Sequence, residues 1–175
     1  MLEYIKGMDI SSLDEIEKLG AKFYDHGKEG DLIQILKDYG TNYIRLRIWN
    51  DPKSPDGKPY GAGNTDYEVM LRMAKRVKAA GLGFLLDFHY SDFWADPGKQ
   101  RKPKAWADYN ADQLEQAVYD FTKEILKRLA QENIVPDMVQ VGNELSNGLL
   151  WPEGQVPNYA NIARFASAGV SAVKE

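Results

Sequence analysis

Tyr43-Ile44-Arg45-Leu46-Arg47-Ile48-Trp49 alternates aliphatic with polar or aromatic residues, and Gly83-Phe84-Leu85-Leu86-Asp87-Phe88-His89 repeats the pattern farther along the chain. Successive side chains on a strand point to opposite faces. Ile44, Leu46 and Ile48 therefore share one face, with Tyr43, Arg45, Arg47 and Trp49 on the other. In the second stretch Phe84, Leu86 and Phe88 oppose Leu85, Asp87 and His89. Each strand thus has an apolar face suited to covering helices and a face that turns ionic toward its C-terminal end.

Both runs lead into loops rich in Gly, Pro, Asn, Asp and aromatics and then into stretches of helical period, and this grammar occurs four times. Such repetition predicts βα units of the α/β class. The first unit has a strand over 4–10, a short extra helix ending by Gly20, and a helix over 32–39 closed by Gly40. The second enters its helix at Thr65, where Thr65 and Glu68 have capping-box spacing and Tyr67, Met70, Ala74 and Val77 recur at helical intervals. The third opens its helix with Asn110 and Gln113 and buries Leu114, Ala117, Phe121, Ile125 and Leu129. The fourth has a strand over 138–141, a loop over 143–158 and a helix over 159–173. Met70 and Met73 read as core at this spacing. The loop over 51–57 reads as turns, because it lacks the alternating acidic ligands of a calcium loop.

At 175 residues the chain fits one domain with a real core, and 22 Lys+Arg against 26 Asp+Glu give a net charge of −4, which argues against nucleic acid as a partner. Without cysteine there is no disulfide frame, thiolate metal site or Cys nucleophile. The two histidines, His26 and His89, lie far apart, so no metal site is expected, and His26 reads as a surface residue. No apolar run approaches the ~20 residues that cross a bilayer, so no membrane partner is expected. Met1-Leu2-Glu3-Tyr4 lacks a basic segment followed by an apolar one. A leader removed ahead of Met1 keeps an extracellular location open beside a cytoplasmic one.

Parallel strands with helical crossovers are covered on both faces, so ionic side chains there need partners. For Arg45 and Arg47 these are expected among Asp9, Asp87 and Glu144, the last sharing parity with Gln140 across Gly142. An ion network explains any one of these residues as well as a site does, but explains the set less well. In α/β barrels the C-terminal strand ends carry the chemistry, and this cluster falls there.

Lys6-Gly-Met-Asp-Ile-Ser-Ser, Tyr43-Ile-Arg-Leu-Arg-Ile-Trp-Asn, Leu86-Asp-Phe-His-Tyr-Ser-Asp-Phe-Trp-Ala-Asp-Pro and Gln140-Val-Gly-Asn-Glu, followed by Trp151-Pro152, stand in the order found in glycoside hydrolase family 53, the endo-β-1,4-galactanases. The chain resembles that family over essentially its whole length. The resemblance implies a (β/α)8 TIM barrel that cleaves β-1,4-galactan with retention and uses no cofactor. It implies Glu144 as acid/base, Asn143 as a hydrogen-bond partner of the sugar 2-hydroxyl, and Arg47 as the arginine that orients the nucleophile and keeps it ionised. Asp87 and His89 resemble residues that fix substrate and carboxylate geometry. Of the four indoles, Trp94 and Trp151 follow strand ends and are the better stacking faces for pyranose rings; Trp49 is a further candidate and Trp106 reads equally as loop packing.

The family takes its nucleophile from the seventh strand, whereas four βα units are half of a barrel. Residues 1–175 are thus expected to be the N-terminal half of a catalytic domain, inactive alone and lacking any calcium site built from later loops. Such a half should self-associate or pair with a C-terminal half-barrel, because its edge strands and inner layer are uncovered. The alternative is a non-catalytic half-barrel, a folding or assembly module that keeps a carbohydrate-binding groove.

Overall fold

A computed structural model describes residues 4–175; the leader reading of Met1 to Glu3 lies outside the described residues. In chain order the elements are β1 (Gly7–Asp9), α1 (Leu13–Lys18), β2 (Phe23–Asp25), β3 (Lys28–Gly30), α2 (Leu32–Asp38), β4 (Tyr43–Ile48), α3 (Tyr67–Ala79), β5 (Gly83–Phe88), α4 (Ala111–Gln131), β6 (Met138–Val141) and α5 (Tyr159–Lys174). β1, β4, β5 and β6 form a parallel sheet in that order. Its register sets Asp9 beside Arg45, Arg47 beside Asp87, and Asp87 beside Gln140.

The alternation seen in the sequence is obeyed where the strands are regular. Ile44, Leu46, Ile48, Phe84, Leu86 and Phe88 are buried under Met70, Met73, Ala74 and Val77 of α3 and Leu114, Val118, Ile125 and Leu129 of α4. Both methionines are core. On α4 the buried stripe runs through Val118 and Thr122, while Ala117 and Phe121 are half-buried. Thr122 can sit there because its hydroxyl donates to the Val118 carbonyl at 2.7 Å and meets the Tyr90 hydroxyl at 2.8 Å.

Asn110 and Gln113 form the expected capping box. The cap of α3 lies one residue beyond the expected one: the Asp66 carboxylate accepts from Val69 N at 3.0 Å, while Thr65 is buried and its carbonyl accepts from Trp49 N. A carboxylate stabilises the helix N-terminus by charge as well as by hydrogen bonding, and Thr65 is used to anchor the end of β4. The first strand is shorter than expected, pairing only over Gly7–Asp9. The β2–β3 hairpin is an addition, turning at His26 and Gly27, both with positive φ; His26 is exposed, as expected. No helix is long and apolar enough to cross a membrane among the described residues.

Candidate active site

The ionic faces of β1, β4 and β5 meet at one end of the sheet, and Arg45 is their hub. Its Nη1 donates to Asp9 Oδ2 at 2.5 Å, and its Nη2 to Asp87 Oδ2 at 2.6 Å and to Asn143 Oδ1 at 2.7 Å. Asp87 is fully buried, and an isolated carboxylate there would cost several kcal/mol. Arg45 supplies the compensation. Gln140 adds a 3.3 Å contact from Arg45 Nε, so a polar side chain of β6 completes the layer.

Arg47, also buried, has a different environment. Its guanidinium donates to Ser12 Oγ and the Ala62 carbonyl and lies 4.1 Å from the Trp94 ring centroid and 4.8 Å from that of Trp49. Asp9 is its closest carboxylate, at 3.8 Å. Burial pushes the Arg47 pKa below the usual arginine range, while the charge of Asp9 pulls it back up. Asp9 and Asp87 are thus the expected partners of the arginines, whereas neither arginine reaches the third, Glu144, which corrects that part of the expectation.

The backbone explains that correction. Gly142 has φ +83° and Glu144 φ +51°, so alternation ends at Val141 and parity cannot be carried across to Glu144. Asn143 turns into the cluster instead. It is buried, accepts from Arg45, and donates from Nδ2 to the Ala95 carbonyl at 2.8 Å. Glu144 is left exposed at the rim, and its carboxylate has no hydrogen-bond or ion-pair partner among the described residues.

His89 is buried next to Asp87. Its Nδ1 accepts from Trp49 Nε1 at 3.1 Å and from Ala95 N at 3.2 Å, which leaves the ring proton on Nε2 when the ring is neutral. Nε2 lies 3.0 Å from Asp87 Oδ2, close enough for attraction but without hydrogen-bond geometry. Arg47 Nε, Asp87 Oδ1 and His89 Nε2 are thus three buried polar atoms without a hydrogen-bond partner.

Of the indoles, Trp94 is 37% exposed beside Arg47, and Trp151 is half-buried with its N–H donated to the Asn147 carbonyl. Trp49 is fully buried and offers no stacking face, and Trp106 packs edge-on against Phe121. A cleft of about 510 Å³ runs beside Trp94, Arg45 and Arg47 toward the β1 edge. Sequence reasoning expected Arg45 to pair with Asp9 and Asp87 but did not count it among the site residues, and it missed Ser11, whose hydroxyl joins Asp9 to Arg47 N, and Gln100, whose buried amide donates to the Asn143 and Glu144 carbonyls. Strand parity marked Arg45; nothing local marks Ser11 or Gln100. Among the described residues no three His, Asp or Glu side chains group as metal ligands do.

Helix-covered parallel strands with their polar residues gathered at the C-terminal ends define an α/β protein built from the βα units of a barrel. The family model for glycosyl hydrolase family 53 matches residues 5–175, and the chain belongs to that family. It is 41% identical over 174 residues to the endo-β-1,4-galactanase of Bacillus subtilis (strain 168), covering 99% of this chain and 40% of the relative. A probable arabinogalactan endo-β-1,4-galactanase A of Neosartorya fischeri is 44% identical over 97% of this chain and 46% of its own length. The solved Ignisphaera aggregans GH53 catalytic domain superposes with a TM-score of 0.95 at 50% identity, over 99% of this chain and 49% of that one. A structure of fungal β-1,4-galactanases follows at TM-score 0.89 and 38% identity, over 98% and 49%. The chain spans about half the length of the curated relatives it matches. The four parallel strands with their helices are accordingly a half-barrel of the TIM-barrel type.

Proposed function

We propose that this chain carries the proton-donor half of a retaining endo-β-1,4-galactanase site, acting on galactan or arabinogalactan. One observation carries the reading: Asn143 is locked to Arg45 while the next residue, Glu144, presents a free carboxylate at the C-terminal rim. An acid/base must protonate the glycosidic oxygen and later take a proton from the water that resolves the glycosyl-enzyme. A carboxylate tied into an ion pair, as Asp87 is, suits neither step. Asn143 Nδ2 keeps a second N–H beyond its bond to Ala95, and we assign it to the sugar 2-hydroxyl. We assign Arg47 to orienting the nucleophile and keeping it ionised, and buried Asp87 and His89 to fixing substrate and carboxylate geometry from beneath. Trp94 offers its exposed face to a pyranose ring, with Trp151 as a second platform.

Retention requires a second carboxylate about 5 to 5.5 Å from the first. Asp9 and Asp87 are both bonded to Arg45, so the nucleophile is assigned to a C-terminal half-barrel that this chain pairs with. Two strands have a single neighbour in the described sheet, β1 and β6, and exposed Met8, Val135 and Val170 lie on or beside them. The same shortage of a free second carboxylate favours the other reading, a non-catalytic half-barrel that retains a carbohydrate groove.

Reducing-sugar release from β-1,4-galactan, by the chain alone and mixed with a C-terminal half, separates the two. Turnover only in the mixture supports the first; galactan binding with no turnover in either supports the second. Activity that survives Glu144→Gln overturns the assignment of the acid/base, and a stable, well-folded monomer at micromolar concentration in light scattering, indifferent to the second half, overturns the pairing.

A further inference from the structure

Gln100 is a long polar side chain, 2% exposed, in the loop between β5 and α4. Such burial is costly unless the amide is bonded, and here it is bonded across the loop to the strand-end turn of another βα unit. Its Nε2 donates to the Asn143 carbonyl at 2.7 Å and to the Glu144 carbonyl at 3.3 Å. Glu144 sits in the left-handed region, which is unfavourable for a residue with a Cβ and persists only where neighbours hold it. No other side chain bonds to the backbone of Glu144 among the described residues.

The rest of that loop holds the turn's surroundings. Ala95 O receives the Asn143 amide, Pro97 O receives the Asn147 amide, and Gln100 O receives Trp151 N at 2.7 Å. These bonds fix Asn143, Asn147 and Trp151; Gln100 alone reaches the peptide that aims the free carboxylate. We propose that Gln100 is a positioning residue for the acid/base, setting the direction of the Glu144 side chain through its main chain. The inference rests on Glu144 being the proton donor.

The test uses the form of the enzyme that turns galactan over, with Gln100→Met, which removes the donor at similar volume, and Gln100→Asn, which keeps an amide but shortens its reach. Two substrates are compared: galactan, whose leaving alcohol needs a proton, and a dinitrophenyl β-galactobioside, whose leaving group does not. A misaimed acid should lower kcat/KM for galactan about 10- to 100-fold while leaving the activated substrate within about threefold, and azide should accelerate turnover of the latter. A role in folding alone lowers both substrates equally, and that result overturns the proposal. Glu144→Ala is the control: if it too lacks leaving-group dependence, the acid/base assignment fails. If Glu144→Ala shows the dependence and neither Gln100 variant does, this inference alone fails. Amide exchange over 143–148 gives a second readout in this chain without substrate. It should quicken in Gln100→Met, and unchanged protection there also overturns the proposal.

Discussion

Arg45 Nη2 donates to Asp87 Oδ2 and Asn143 Oδ1 together, at 2.6 and 2.7 Å, so one nitrogen ties the inner strand β5 to the turn that ends β6. The strand register brings Asp87 opposite Arg47, but the longer reach goes to Arg45, one pleat farther down β4.

Because Asp87 is fully buried, removing Arg45 leaves a carboxylate with its main compensation gone. Arg45→Met should cost about 3 to 5 kcal/mol in urea denaturation, and Arg45→Met combined with Asp87→Leu should recover most of it. A double variant as unstable as the single one would show that Asp87 is not where the penalty arises.

The two indoles at the rim should separate cleanly. Trp49→Ala, at a fully buried ring bonded to His89, should destabilise by about 3 to 5 kcal/mol. Trp94→Ala, at a partly exposed ring, should change the melting temperature far less and weaken galactan binding, measured by affinity electrophoresis. Equal melting losses with unaltered binding would remove Trp94 from the proposed groove.

At the start of α3, Asp66→Ala should cost about 1 kcal/mol through loss of the bond to Val69 N. Thr65→Val should be neutral or mildly stabilising, since the Thr65 hydroxyl is buried with no partner. Chemical denaturation of the two variants decides which residue is the cap.

Asp137 shows how acid should act. Partial burial works against its charge, yet the Lys78 ammonium and the Phe84 N–H outweigh it, and its pKa lies below the usual carboxylate value. Asp14 and Asp31 are shifted the same way: burial opposes the charged form of each, but hydrogen bonds from Arg72 and Lys18, and from Arg76, prevail. A depressed folded pKa means the added stability is complete above the unfolded value of about 3.9 and is lost as pH falls through the lower folded value. Stability should therefore fall below about pH 4, less steeply in Asp137→Asn and in high salt. A variant with an unchanged acid limb would exclude Asp137 from it.

Strand faces, the α4 capping box and the methionine core were legible because period and cap chemistry act within a few residues. Legibility stopped where the backbone left its regular path. Counting parity through Gly142 put Glu144 among the arginines, whereas two positive-φ residues turn Asn143 inward and leave Glu144 outside. The β2–β3 hairpin has strands too short to show alternation, and only the His26-Gly27 turn marks it. Gln100 carries no pattern at all, since its partners lie more than forty residues away in the chain.

The rings of Trp49 and Trp94 stand 5.6 Å apart at 74°. Two indoles so close and so inclined couple their electronic transitions, giving circular dichroism in the near ultraviolet that depends on their mutual angle. That band reports whether the rim is assembled without any sugar present, and it should vanish before the far-ultraviolet helix bands when side-chain packing loosens ahead of the backbone.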